Sequence, residues 1–270
     1  MPVDFRRWIK RMRWEELSSP DVASLDRERT VVMLPLGSVE QHGNHMPLGT
    51  DTILAHAVSL AAAERARDAA VLPSPWFGFS AHHMRFAGTV TLRAETLIAV
   101  VEDIVGSLVQ HGFRRILIVN GHGGNASVID VLASTLGHRH YGAARIAALT
   151  YFRLASEAIA ELRRSEPGGM GHACEFETAL VQHLRPDLVN IEKAEATYPN
   201  PGSAYLTTDL LGSSAIRTYH DFADLSPTGT LGDPLLASPE AGAAFFEAVV
   251  GALAAFIDDF RSWQISGPRK

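Results

Sequence analysis

Two short aliphatic runs constrain what this chain can fold into more than any other feature: Thr30 to Leu36, TVVMLPL, and Arg115 to Asn120, RILIVN. A strand with one face in water alternates apolar and polar residues. Unbroken runs of this length instead predict strands buried on both faces, in a sheet covered by helices on each side. Each run passes into a Gly- and His-rich stretch and then into a helical pattern. Ala70 to Leu72 and Ala144 to Phe152 read as further strands. Thr52 to Arg67, Leu92 to Gln110, Ala126 to Leu136, Leu154 to Arg164, Ala173 to Leu184 and Pro239 to Phe260 read as helices. The clearest is Leu92 to Gln110, where Leu97, Ile98, Val101, Ile104, Val105 and Leu108 form one apolar stripe closed by Gly112. This alternation predicts an α/β fold: a three-layer α/β/α sandwich with a mainly parallel sheet and right-handed crossovers, as a single domain over residues 1–270. Pro35 is expected to end the first strand or place it at an edge. Thr50 or Asp51, and Asn125, are expected as helix N-caps.

Composition narrows the partners. The net charge of -6 comes without a basic stripe, so nucleic acid is not expected. No uninterrupted apolar run reaches the roughly 18 residues that span a bilayer, so no membrane is expected either. The single cysteine, Cys174, excludes an internal disulfide and fits a reducing compartment. It reads as a small buried hydrophobe. The amino-terminal stretch lacks a signal-peptide pattern, and a cytoplasmic location is expected. Arg6 to Leu17 has an approximate helical period and reads as a docking helix.

Chemistry concentrates in the loops that follow the strands. Leu34 to Asp51, LPLGSVEQHGNHMPLGTD, holds Glu40, His42, His45 and Asp51. If the strand extends that far, Glu40 and His42 leave the same face, and Asp51 returns a carboxylate at a helix start. Glu, His and Asp together offer the mixed nitrogen and oxygen donors that Zn, Mn or Fe accept, whereas His45 is the weaker candidate and reads as a pocket residue. NGHGGN places His122 on a tight turn after a strand, where the glycines admit a ligand close to the backbone. Phosphate binding is the competing use of such a loop, although the Lys-Ser/Thr ending of a nucleotide loop is missing. GHACEFET supplies His172, Glu175 and Glu177. On an ideal helix His172 and Glu175 lie about 60° apart with Glu177 nearly opposite Glu175, which favours Glu175 unless His172 precedes the first turn. FSAHHMRFAGT adds Ser80, His82 and His83 between two phenylalanines, like a pocket wall.

Together GSVEQHGNHMPLGTD, FSAHHMRFAGT, NGHGGN, GHACEFET and SPTGTLGDP resemble the creatininase (creatinine amidohydrolase) family, over Gly37 to Pro234. The resemblance implies a three-layer α/β fold, a hydrolase centre with two divalent metal ions and a homohexamer. Carried over by position, Glu40 and His42 match ligands of separate metals, Asp51 the bridging carboxylate, His122 a further ligand and His172 the catalytic histidine. Ser80 falls in the family's substrate-contact loop. Creatininase itself carries an aromatic residue and a Glu at the places of Gly123 and Gly124. Relatives with NGHGGN take the missing carboxylate from the Glu before Thr in the GHACEFET-like motif, here Glu177, with Glu175 as runner-up. The expected metal is Zn, with Mn or Fe also accommodated. The expected reaction is hydrolysis of the C–N amide bond of a small cyclic amide or formamide, with Ser80, His83 and Gly123 orienting the substrate. A metallopeptidase acting on a short peptide is the alternative, since the family includes a peptidase that trims a redox-peptide precursor. A phosphate-binding isomerase and a non-catalytic assembly protein are the rivals from other classes.

Overall fold

The computed structural model describes residues 12–265 and Gly267. The expected docking helix over Arg6 to Leu17 lies mostly outside them, and its described end forms only a single helical turn, Trp14–Glu16. The central sheet is built from β1 (Val31–Leu36), β2 (Ala69–Val71), β3 (Arg115–Asn120) and β4 (Arg145–Thr150), all parallel, in the order β2-β1-β3-β4. The connecting helices are α1 (Thr50–Arg65), α2 (Ala94–Gln110) and α3 (Ala126–Arg139).

The side chains of β1 show why its sequence does not alternate. Val31 and Met33 enter a core with Leu54 and Val58 of α1, whereas Val32, Leu34 and Leu36 enter a second core with Leu97 and Val101 of α2 and Leu132 of α3. Both faces are covered, which makes three layers, as expected of such runs.

Pro35 lies one residue before the end of β1, as the first of its two expectations has it, but β1 is an interior strand and not an edge. The Leu72 N–H donates to the Met33 carbonyl at 2.9 Å. Backbone groups alternate in direction along a strand, so Pro35 faces the same side as Met33. The β2 pairing has ended at Val71, and no partner strand there needs the missing N–H.

A second, two-stranded sheet pairs β5 (Met170–His172) with β6 (Leu231–Gly232), antiparallel. β5 precedes α4 (Glu175–Leu184), which packs against the long terminal helix α5 (Pro239–Ser262). By length and composition α5 is apolar enough to cross a bilayer, which unbroken runs alone do not reveal. Its Phe245, Val249, Leu253, Ile257 and Phe260 are buried in the same core as α1 and α4, as in a core helix. Between α4 and α5 lie only short turns of helix and β6 among loops.

Candidate metal centre

The chain leaves β1 towards β2 on one side and later returns to β3 on the other, so β1 and β3 flank a switch point in strand order. Loops beyond the carboxyl ends of such neighbours diverge and leave a crevice. The last registered pair is Leu36 with Asn120, and the His-rich segments follow directly.

Glu40 and His42 do not lie on a strand, since β1 ends at Leu36. They lie in the loop after it, and Gly43 then turns the chain at φ 64, a conformation that costs glycine little, before Asp51 joins them. Asp51 lies inside the first turn of α1, with Gly49 at the N-cap position, so neither Thr50 nor Asp51 serves as the cap. Asn125 precedes α3, but its side chain makes no capping bond. Instead it accepts from the Phe79 N–H at 2.9 Å and donates to the Gly37 carbonyl at 3.1 Å, tying three loops together.

Asp51 is the hub of the cluster. One carboxylate oxygen lies 3.1 Å from His42 Nε2 and the other 3.0 Å from His122 Nδ1. Glu40 lies beyond His122, with Oε2 3.2 Å from His122 Nε2 and Oε1 3.2 Å from His83 Nε2. Ligand-type atoms fall into the groups Glu40, His42, Asp51; His42, His172, Glu177; Glu40, His82, His122; and Glu40, His83, His172, each within 4.8 Å of one another.

These groups fit a cation by an observation beyond proximity. Glu40 Oε1, Asp51 Oδ2 and His83 Nε2 are buried without a hydrogen bond among the described residues, although each has an opposing atom 3.0–3.2 Å away. Atoms this close but not aligned on one another converge on shared points, as the donors of a common ion do.

The electrostatics agree. Burial pushes the Glu40 carboxyl up to about 7, against the lowering pull of His122. Burial also works against charge on His42, but Asp51 outweighs it and lifts His42 to about 10. His122 rises to about 9 in the same way, through Glu40 and Asp51. Burial opposes ionisation of Asp51 too, but His42 and His122 hold its carboxyl well below the usual range. Three buried carboxylates need positive charge; here His42 and His122 supply it, as divalent cations would.

His172 ends β5 and precedes α4, so the helical-face argument for Glu175 does not apply. Between them Ala173 adopts φ 50, a left-handed conformation that is strained for a residue with a Cβ. Glu177 thereby joins His42 and His172. Glu175 turns away and accepts the Arg164 and Ser165 N–H groups, both at 2.9 Å. Cys174, expected to have no partner, donates its thiol to Glu177 Oε2 at 3.8 Å.

Ser80 is fully buried and donates to Glu40 Oε2 at 2.5 Å; this differs from the expected substrate contact, and its hydroxyl steadies that carboxylate. His83 and Gly123 line a cavity of about 370 Å³ with Glu40, Asp51, His122 and Glu177. His82 lines it too, stacked on His122 at 5.7 Å. His45 stays apart, bonded to Thr178 Oγ1 at 2.9 Å. Gly124 admits no side chain, because a Cβ there would lie 2.4 Å from His122 Nε2. Gln41 is a neighbour of the cluster that sequence reasoning missed: its carbonyl lies 2.6 Å from His172 Nε2 and its side chain 2.7 Å from His83 Nδ1. Its only signal was its place between Glu40 and His42.

The family model for creatinine amidohydrolase matches residues 15–257. The chain belongs to the creatininase family. It is 31% identical to the mycofactocin precursor peptide peptidase of Mycobacterium tuberculosis over 87% of both chains. It is 29% identical to the creatinine amidohydrolase of Pseudomonas putida over 92% of this chain and 94% of that one. A solved creatinine amidohydrolase (creatininase) superposes with a TM-score of 0.78 at 29% identity, covering 94% of this chain and 99% of the other. Solved creatininases include a Mn form and a Zn-Zn form. This creatininase-family chain is therefore a hydrolase of the amidohydrolase type, with a cluster able to hold metal.

Proposed function

We propose that this creatininase-family protein is a two-metal amidohydrolase that cleaves the C–N amide bond of a small cyclic amide or formamide. The observation that carries this reading is Asp51, whose two oxygens face His42 on one side and His122 on the other. That is the placement of a carboxylate shared by two ions. Glu40, Asp51 and His122 would hold one ion, and His42, Asp51 and Glu177 the other. Bound there, paired divalent cations lower the pKa of water and polarise a carbonyl. Zn is the first expectation, with Mn or Fe alternatives.

The protein's own residues supply proton traffic and positioning. His172 Nε2 faces the Gln41 carbonyl at 2.6 Å, so Nε2 carries the proton and donates, leaving Nδ1 as the base. Nδ1 lies 3.6 Å from Glu40 Oε1, at the cluster. Burial pushes His172 well below its ordinary range, which keeps it neutral. Nδ1 takes the proton of the attacking water and delivers it to the leaving nitrogen. The loop at Gly123 has nothing within 4 Å of a Cβ position, so its backbone is open to the substrate, and His83 forms the neighbouring wall.

Purified protein is expected to contain about two divalent ions per chain, and chelation should abolish hydrolysis of a lactam, hydantoin or formamide until Zn or Mn is returned. Metal content near zero, with activity surviving chelation, would sink this reading. Dipeptides belong in the same panel. The likeness to the mycofactocin precursor peptide peptidase favours a short peptide as the second reading, and selective turnover of dipeptides would establish it.

The carboxylate choice has its own test. Glu177→Gln is expected to lower bound metal by about one ion per chain while leaving the urea midpoint of the metal-free protein near its original value. Glu175→Ala should retain both ions but lose roughly 1–3 kcal/mol of stability, because the buried Ser165 N–H and the part-buried Arg164 N–H lose their acceptor. The opposite pattern, metal lost with Glu175, would reverse the assignment.

A further inference from the structure

Besides its acidic and imidazole residues, the cavity is lined by Arg153, exposed and the one permanently charged cation among its described lining residues. Arg153 belongs to the short helix Tyr151–Leu154 that follows β4. It thus reaches the cavity from the strand loop beside the one that carries His122. Its polar contact among the described residues is a single long hydrogen bond, 3.4 Å, to the Gly212 carbonyl. No described carboxylate lies within ion-pair distance of it. Arg163, by contrast, is held by Asp209 at 2.9 Å. A guanidinium presents a planar fork of donors that matches both oxygens of a carboxylate, and here that fork is uncommitted at the edge of a cavity.

Resting on the amide-hydrolysis reading of the same site, we propose that Arg153 determines specificity by binding a carboxylate carried by the substrate. The amide cleaved then belongs to an N-acyl amino acid, or to a lactam bearing an acid group, and not to a neutral formamide. The carbonyl would go to ions held at the Asp51 cluster and the carboxylate to Arg153, so the cavity selects a substrate that is polar at both ends. This also separates the substrate from neutral cyclic amides, whose edge offers the guanidinium no anion.

The test uses the metal-loaded protein and a matched pair, N-formylglycine and N-formylglycinamide, with binding followed by calorimetry and turnover by formate release. The acid is expected to bind on the order of 10–100-fold tighter than the amide. That ratio should fall towards one in Arg153→Ala and recover in part in Arg153→Lys, which restores the charge without the fork. Equal melting temperatures establish that the variants are folded. A preference for the acid that survives in Arg153→Ala overturns the proposal, since the anion is then held elsewhere, as by the metal ions. An equal loss for both ligands overturns it too, by making Arg153 a wall of the cavity. Arg153-dependent binding without hydrolysis of either compound upholds the recognition role and removes the amide reading. Equal binding and equally fast hydrolysis of both does the reverse.

Discussion

Replacing Asp51 by alanine is expected to strip metal from both positions at once and to leave no measurable turnover. Asp51 is 2% exposed and has one oxygen 3.1 Å from His42 Nε2 and the other 3.0 Å from His122 Nδ1. Each proposed ion would lose a shared ligand, and the two rings would lose the charge that holds them in place. Removing one partner of a buried ionic group costs roughly 3–5 kcal/mol, so the metal-free variant should also unfold at lower urea. Asp51→Asn separates the two effects: it keeps one acceptor and most of the shape but weakens binding of both ions. Metal analysis beside a urea titration checks this. Retention of one full ion per chain by Asp51→Ala would end the shared-carboxylate model.

The second large effect is expected from His172→Ala, with turnover falling by about 10²- to 10⁴-fold, the range of a lost general acid–base group, while both ions stay bound. The retention matters as much as the loss, because His172 falls within two of the candidate ligand groups. Its Nε2 is engaged by the Gln41 carbonyl at 2.6 Å, which leaves one nitrogen for chemistry. If metal analysis shows an ion leaving with the ring, His172 is a ligand and the proton carrier must be sought elsewhere, with His83 next in line on the cavity wall.

Much of the fold was legible because it follows from burial on two faces. TVVMLPL and RILIVN can satisfy both cores only as interior strands, and the alternation of strands with helices leaves few other arrangements. Pro35 does sit at the end of its strand, but it does not mark an edge, because an isolated proline carries no information about where a neighbouring strand stops. The strand pleat expected to align Glu40 and His42 is absent, since β1 ends at Leu36 and both lie in the loop beyond it; loop conformation of that kind is not written in a pattern of two. The competition between Glu175 and Glu177 turned on one backbone angle, that of Ala173, which no periodicity encodes. Ser80 and Gln41 mark the same limit. Their residue types announce polarity, but which groups they face depends on segments far away in the chain.

The long separation between the proposed ligands has one more consequence. Glu40 and His42 precede the helix after β1, Asp51 lies in its first turn, His122 follows β3, and Glu177 sits on α4. Ions held among them act as non-covalent cross-links that close long loops of chain, so their binding free energy is also folding free energy. The centre thus doubles as a clamp on the tertiary structure. With ions bound there, the durability of this hydrolase against heat or proteases would be set partly by the free metal around it.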